Sequence, residues 1–220
     1  MLSDSNIYQQ LRKNPTESEQ AAYNKEIGRI YESMPIGCVP HRFNAYLPTL
    51  AHLYLNPKLH KDPISYRPIV SQAQAFTTPL AKHLSKILTP YLGSFSPAHL
   101  HDSVHLKNII LDKADPSIPF GSIDIDSLFT NVPIEPLLEF LHTKHTEGNL
   151  PIPENYTIEG LLDLIRLCVN ATVFTFDGKF FRQKQGIAMG SPLAPALACL
   201  YMEFWETVLL NNIPGPKPSF

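Results

Sequence analysis

The stretch QGIAMGSPLAP, residues 185–195, joins two segments of very different character. Before it, VFTFDGKFFRQK at 173–184 places Asp-Gly between aromatic runs, which is typical of a β-hairpin with a two-residue turn. After it, ALACLYMEFWE at 196–206 is apolar enough to predict a buried helix, and Pro192 suits the first turn of that helix. The two glycines of the stretch predict backbone that is approached closely or that takes a positive φ angle.

The segments on either side mix helices and strands without a regular β-α-β alternation, which favours an α+β fold. The clearest amphipathic pattern predicts a helix over 157–172, because its apolar residues recur at helical spacing. Helices are also predicted at 16–34, where the sequence is polar and a surface position is expected, and at 79–92, 103–114 and 134–145. Strands with intervening loops are predicted at 42–72, and a strand that ends in a turn is predicted at 119–133.

Composition places the chain among folded proteins. It has 220 residues, of which 44% are hydrophobic and 17% are charged, so it can bury a core. Its three cysteines show no CxxC spacing and indicate neither a zinc site nor a disulfide framework. The longest uncharged apolar run, 186–202, is short for a membrane span and contains two prolines. No signal-peptide pattern opens the chain, so we expect an intracellular protein, nuclear or cytoplasmic, without membrane contact.

Positive charge is concentrated in one part of the chain, although the formal net charge is -2. Residues 38–108, called the basic lobe below, contain seven lysines or arginines and only two acidic residues, Asp62 and Asp102. Seven of the nine histidines also lie there. Such a lobe can guide a polyanion towards the protein, although an ordinary solvated surface has the same composition.

Two carboxylates stand close together in the predicted strand at 119–133. Asp124 and Asp126 are two residues apart, so their side chains would share one face of that strand. Paired carboxylates on an apolar strand are costly unless they are hydrated or share a cation, and aspartates of this kind hold Mg²⁺ in phosphoryl-transfer enzymes. The alternative is an exposed strand edge followed by a turn at Ser127.

Two cations flank the tip of a predicted hairpin, KLHKDPISYR at 58–67. Lys58 and Arg67 could grip a triphosphate there, the arginine through its planar fork of donors. The alternative is a pair of solvated surface charges. The glycine-containing stretch at 185–195 lacks the GxxxxGK[ST] pattern and therefore does not predict a P-loop.

Three motifs, taken together and in this order, resemble the fingers and palm of a reverse transcriptase: LNPKLHKDPISYRPIVS at 55–71, SIDIDSLFTNVP at 122–133 and FFRQKQGIAMGSPLAPALACLYMEFWE at 180–206. Within these enzymes the chain resembles the Penelope-like retroelements. The opening YQQLRKNPT at 8–16 is similar to an upstream motif of that family. The resemblance extends over nearly the whole chain.

The resemblance implies an α+β right-hand polymerase with an N-terminal helical extension at 1–41, fingers at 42–115 and a partial palm at 116–220. The implied activity is RNA-directed DNA synthesis, in which deoxynucleotides are added to a primer 3′ end by two-metal phosphoryl transfer. The implied cofactor is Mg²⁺, with two ions in the complete enzyme. The implied partners are an RNA template, a DNA primer and deoxynucleotide triphosphates.

The resemblance also assigns roles around the carboxylates. Asp124 matches the first catalytic aspartate of the palm and is a metal ligand. The backbone carbonyl at Ile125 would help to hold the second metal ion. Phe129 matches the aromatic side chain beneath the incoming sugar, where its bulk would exclude a 2′-hydroxyl and select deoxynucleotides.

Four further residues match substrate-binding positions of the family. Lys58 and Arg67 match the fingers residues that clasp the triphosphate. Gln185 and Gly186 match the loop near the incoming nucleotide and the template strand. In that reading the glycines let a base pair slide over the backbone.

The match departs from the family pattern after residue 206. There the family continues with an aromatic-x-Asp-Asp turn and a thumb, whereas this sequence contains no Asp-Asp pair. The expected consequence is a fragment or decayed copy that is inactive alone, with poor solubility or with a second chain supplying the missing palm and thumb. Two alternatives stay open: a non-catalytic nucleic-acid-binding remnant that uses the basic lobe, and an unfolded relic.

Overall fold

The computed structural model describes residues 2, 4–35, 43–45, 49–59, 61–113 and 124–212. The strands within these ranges are β1 (Tyr8–Leu11), β2 (Ala51–Lys58), β3 (Ser65–Ser71), β4 (Val173–Phe176) and β5 (Lys179–Gln183). The helices are α1 (Thr16–Glu32), α2 (Thr78–Leu88), α3 (Ser103–Lys113), α4 (Leu128–Asn131), α5 (Ile134–Thr146), α6 (Ile158–Asn170) and α7 (Ala194–Asn212), and a 3₁₀ turn, Thr89–Tyr91, follows α2. This mixture confirms the α+β fold class.

The five strands form one sheet in the order β1-β5-β4-β2-β3. Strands β2 and β4 are parallel, and the other neighbours are antiparallel. The predicted hairpin at 173–184 is confirmed, since Asp177 and Gly178 both take positive φ angles, 50° and 69°, between β4 and β5. The sheet takes strands from all three proposed segments of the chain, and the division into 1–41, 42–115 and 116–220 stays a prediction.

The main hydrophobic core lies among helices α1, α2, α5, α6 and α7. Helix α6 begins as predicted, because the Thr157 side chain accepts a hydrogen bond from the Gly160 N–H at 3.0 Å. Helix α1 lies at the surface as predicted, since most of its residues are exposed or half-buried, but one face is apolar. Tyr23, Ile27 and Ile30 recur at helical spacing and are buried, so this apolar stripe packs inward although the rest of the helix is polar.

No strand is assigned within the described part of the segment predicted as a strand, 119–133, whereas the turn predicted to end it lies at Ser127. Residues 119–123 lie outside the described ranges, and no regular structure is assigned to Asp124 and Ile125. Ser127 takes a φ angle of 53°, which a continuing strand does not allow, and α4 begins at the next residue. The Asn131 side chain donates to the Ser127 carbonyl at 3.2 Å and helps to close this turn.

Among the residues described, none of the helices combines the length and apolar character needed to cross a membrane.

Candidate functional site

A cleft of about 310 Å³ lies between the β2–β3 hairpin and the segment at 124–130. The hairpin forms one wall, and the turn that precedes α4 forms the other. Its lining residues are Tyr8, Lys58, Tyr66, Arg67, Pro68, Val70, Asp124, Ile125, Asp126, Ser127, Leu128, Phe129, Thr130, Gln183 and Met189. Five of the seven predicted site residues therefore meet in one place.

The hairpin register places the two predicted cations on one face. Lys58 pairs with Ser65, and Arg67 pairs with Asn56, two residues from Lys58. Because side chains two apart on a strand share a face, Lys58 and Arg67 are diagonal neighbours. Neither makes an ion pair with another described residue, so both charges remain available to an anion in the cleft.

The opposite wall carries the carboxylates. Asp124, Ile125 and Asp126 are exposed and line the cleft within a segment that we call the carboxylate turn, residues 124–127. The shared face predicted for the two aspartates rested on a strand that is absent at this point, yet both residues reach the cleft. The wall is therefore acidic opposite a basic hairpin.

The described residues do not complete a two-ion magnesium centre. Among them, no group of three or more histidines, cysteines, aspartates or glutamates could hold a metal ion. Two-metal sites hold their ions about 3.5–4 Å apart through shared ligands, and Asp124 with the Ile125 carbonyl and Asp126 supplies too few. The carboxylate turn can therefore present negative charge to a cation, but it cannot enclose a pair of ions by itself.

Phe129 forms the part of the wall that follows the carboxylates. It is half-buried in α4 and packs against the helical core. Its carbonyl accepts a hydrogen bond from the Ile187 N–H at 2.7 Å. The position of Phe129 is thus tied to the segment at 185–190, which we call the glycine loop.

The glycine loop is fastened on both sides by backbone contacts. Gly186 has a φ angle of +69°, and a Cβ there would lie 2.5 Å from the Thr130 carbonyl carbon and closer still to the Phe129 oxygen. Gly190 has a φ angle of +117°, and its Cβ would lie 3.0 Å from the carbonyl carbon of Val70. Positive φ angles and close approach are confirmed, and the groups that approach the two glycines are backbone atoms of Phe129, Thr130 and Val70.

Gln185 and Gly186 do not line the cleft. Gln185 is exposed, and its carbonyl accepts a hydrogen bond from the Gln183 side chain at 2.9 Å. Gly186 is buried behind Phe129. In this arrangement the glycine loop supports the cleft, to which it contributes Met189.

The sequence did not point to Tyr8 and Gln183 as cleft residues. They are paired across β1 and β5, and the Tyr8 ring meets the Phe174 ring edge-on at 5.9 Å. Tyr8 is 5% exposed, and burial, followed by the charge of Asp4, raises the pKa of its hydroxyl above the usual value. Side chains alternate between the two faces along β5, so the sequence places Gln183 on the same face of the sheet as Phe181. The pairing of β1 with β5, which places Tyr8 beside Gln183, could be seen only in the folded structure.

A comparison with protein families matches residues 58–213 to the family described as reverse transcriptase (RNA-dependent DNA polymerase). The matched range contains both walls of the cleft and the glycine loop, whereas Tyr8 lies before it. Among curated proteins, no sequence match to this chain was found.

Proposed function

The chain belongs to the reverse transcriptase family of RNA-dependent DNA polymerases, and from this premise we propose that its cleft binds the triphosphate and sugar of an incoming deoxynucleotide. One observation carries this proposal. Lys58 and Arg67 lie on one wall of a single cleft, and Asp124 and Phe129 lie on the other. A triphosphate is a polyanion that two unpaired cations attract, and a half-buried aromatic ring provides a flat surface for the sugar.

Each side chain has a defined part in this proposal. Lys58 binds phosphate oxygens as a point charge, and Arg67 binds them through its fork of donors. Phe129 lies under the sugar and leaves no room for a 2′-hydroxyl. Gln185 and Gly186 act through the fold, because the glycine loop fixes the position of Phe129.

Members of the family generally use divalent metal ions. Asp124 and the Ile125 carbonyl are the groups that this chain would offer to such ions, but the described residues do not complete the site. We therefore propose that the chain alone makes no DNA at a useful rate. Primer extension on an RNA template with Mg²⁺ or Mn²⁺ tests this, and robust synthesis that depends on Asp124 would contradict it.

We further propose that the chain comes from a Penelope-like retroelement and contains fingers and palm segments. The support is the order of the motifs at 55–71, 122–133 and 180–206, preceded by the segment at 8–16. The substrates would then be an RNA template and a DNA primer, and binding of an RNA–DNA primer–template to the full chain tests this assignment.

Binding of a deoxynucleotide triphosphate to the full chain tests the role of the cleft. The double variant Lys58→Ala/Arg67→Ala should weaken binding about tenfold or more, since it removes both charge-assisted contacts. Lys61→Ala is the matched control, because Lys61 is exposed in the same hairpin but does not line the cleft. Equal losses in the two proteins, or no loss in the double variant, would overturn the proposal.

The role of Phe129 is tested by sugar selectivity. Phe129→Ala should reduce the preference for a deoxynucleotide over a ribonucleotide triphosphate, because it opens space beside the 2′ position. Thermal unfolding of the same variant separates this effect from a loss of fold. An unchanged preference in a folded variant would remove Phe129 from the proposed site.

A second candidate function is nucleic-acid binding without catalysis through the basic lobe. The incomplete carboxylate set favours it, since binding needs the cations but not a metal centre. Salt-sensitive binding to a primer–template that is unaffected by Asp124→Asn would support this candidate.

A further inference from the structure

Two neutral polar side chains, Tyr8 and Gln183, line the cleft on the side of the sheet opposite to its cations. Tyr8 belongs to β1 and Gln183 to β5, and the two residues are directly paired. Two strand spacings separate β5 from β2, which is about 10 Å across the sheet. Tyr8 also lies before the residues that match the reverse transcriptase family. We call Tyr8 and Gln183 the floor pair.

The Tyr8 hydroxyl is available to a ligand. Tyr8 is only 5% exposed, yet its hydroxyl has no hydrogen-bond partner within the described ranges. It is not one of the described side-chain atoms that are sealed from solvent without a partner. Because Tyr8 lines the cleft, this small opening faces the cleft. A hydroxyl that is removed from water without a partner costs free energy, so a phenylalanine would serve the core at least as well.

Several contacts hold Tyr8 in place before a ligand arrives. The Lys184 N–H donates to the Ile7 carbonyl at 2.8 Å, and the Lys184 ammonium donates to the Ser5 carbonyl at 2.7 Å. Both bonds fasten the start of β1 to the chain that follows β5. The Tyr8 ring packs edge-on against Phe174, which limits its rotation. A ligand that meets the hydroxyl therefore does not have to order this side chain.

The Gln183 amide complements the hydroxyl. Its nitrogen donates to the Gln185 carbonyl at 2.9 Å, and since a carbonyl can only accept, the amide oxygen points away from that carbonyl. Within the described part of the chain, no group donates to this oxygen. Burial raises the pKa of the Tyr8 hydroxyl above its usual value, so the hydroxyl stays protonated at neutral pH and can donate. The floor pair thus offers one donor and one acceptor without a charge.

We propose that the floor pair binds the 3′-hydroxyl of the nucleotide in the cleft, which makes Tyr8 a specificity-determining residue that precedes the family domain. This rests on the triphosphate binding proposed above. A ligand held at Lys58 and Arg67 by its phosphates reaches the other side of the cleft with its nucleoside. A hydroxyl both accepts and donates, so it can accept from Tyr8 and donate to Gln183. The edges of the four bases differ in donors and acceptors, whereas the 3′-hydroxyl is common to all four deoxynucleotides.

Calorimetric binding of 2′-deoxythymidine triphosphate and of its 2′,3′-dideoxy analogue to the full chain tests the floor pair. The wild type should bind the deoxynucleotide about tenfold more tightly, through two neutral hydrogen bonds. Tyr8→Phe should reduce this preference to about threefold, because one of the two bonds is lost. Tyr54→Phe is the matched control and should keep the wild-type preference, because Tyr54 is exposed on β2 and does not line the cleft. An unchanged preference in Tyr8→Phe would overturn the proposal.

Two further measurements separate this role from the fold and from the proposed function. Tyr8→Phe should unfold at the same urea concentration as the wild type, and a destabilised variant would assign the hydroxyl to the fold instead. Lys58→Ala/Arg67→Ala should weaken binding of both nucleotides and leave their ratio unchanged. If it does so while Tyr8→Phe also leaves the ratio unchanged, the cleft binds nucleotides and only the role of the floor pair fails. If neither nucleotide binds to the wild type, the proposed function fails and this inference fails with it.

Discussion

The glycine loop and the carboxylate turn belong to the same cleft but are held very differently. The glycine loop is bonded to both of its neighbours: the Ile187 N–H donates to Phe129, and the Met189 carbonyl accepts from the Val70 N–H, each at 2.7 Å. In the carboxylate turn, Asp124 and Asp126 are exposed. Backbone hydrogen bonds thus hold the glycine loop in place, whereas the side chains of the carboxylate turn are open to solvent.

The residues that fix the form of the cleft therefore differ from the residues that could bind a ligand. Backbone hydrogen bonds and close packing fix the loop that supports Phe129, so the cleft keeps its form without a ligand. Exposed carboxylates contribute little to folding and remain free to meet a cation. Substitutions in the glycine loop should therefore act on stability, and substitutions in the carboxylate turn should act on binding.

Gly186→Ala should have the largest effect on stability. The new Cβ would meet the backbone of Phe129 and Thr130, which cannot move aside as a flexible side chain would. We expect a loss of about 3 kcal/mol in the free energy of unfolding. Urea denaturation monitored by circular dichroism measures it.

Gly178→Ala is the matched control for that substitution. Gly178 has the same φ angle of +69°, but a Cβ there would meet nothing within 4 Å. It should lose only about 1 kcal/mol, the cost of a left-handed conformation in a residue with a side chain. Equal losses at the two glycines would mean that conformation, and not close approach, explains the glycine loop.

Glu203→Gln tests what a carboxylate contributes when it is buried, in contrast to the carboxylate turn. Glu203 is 1% exposed and accepts the backbone N–H groups of Gly93 at 2.7 Å and Phe95 at 2.9 Å. A glutamine has one acceptor oxygen and would turn its NH₂ group towards the second donor. We expect a loss of about 2 kcal/mol in denaturant unfolding.

Glu139→Gln serves as the control for Glu203→Gln, because Glu139 is exposed on α5. Its free energy of unfolding should change by less than about 0.5 kcal/mol. A similar change in both variants would show that burial does not distinguish these carboxylates.

Local patterns predicted most of the fold. The apolar spacing of α2 and α6 and the Asp-Gly turn between β4 and β5 are encoded within a few residues, and each is confirmed. The buried stripe of α1 was missed because its polar residues outnumber the apolar ones. The strand predicted at 119–133 is not present from residue 124 onwards, because Ser127 turns the chain and α4 begins at the next residue.

The candidate site was predictable to the extent that it rests on motifs. Lys58, Arg67, Asp124, Ile125 and Phe129 could be proposed from the sequence, and they meet in one cleft. Long-range pairing decides the rest. Tyr8 reaches the cleft because β1 pairs with β5. No pattern within residues 8–11 predicts that β5 is the strand with which they pair.

Glu135→Gln tests a carboxylate that stands between Glu203 and Asp124, because Glu135 is exposed but forms an ion pair with Arg166. Arg166 donates to both oxygens of Glu135, at 2.9 and 2.8 Å, and this hydrogen bonding lowers the pKa of Glu135 below its usual 4.5. A lowered pKa contributes stability that is present above pH 4.5 and is lost as the pH falls through the folded-state value. Because the pair is exposed, Glu135→Gln should cost less than about 1 kcal/mol at pH 7.

The pH dependence distinguishes this pair from a packing effect. The difference between wild type and Glu135→Gln should shrink as the pH is lowered from 4.5 through the folded-state pKa of Glu135, because the wild-type carboxyl is then protonated as well. Unfolding in urea at each pH measures it. A difference that stays constant over this range would assign the loss to packing between α5 and α6.

Asp124→Asn should have the smallest effect on stability and so gives the sharpest test of the comparison. Asp124 is exposed, and its side chain has no ion-pair partner among the described residues, so the free energy of unfolding should change by less than about 0.5 kcal/mol. The same variant should weaken the Mg²⁺ dependence of deoxynucleotide triphosphate binding, because it removes one negative charge from the wall that faces Lys58 and Arg67. If Asp124→Asn instead destabilised the chain as much as Glu203→Gln, the carboxylate turn would be part of the structural framework, and the separation of shape from chemistry in this cleft would fail.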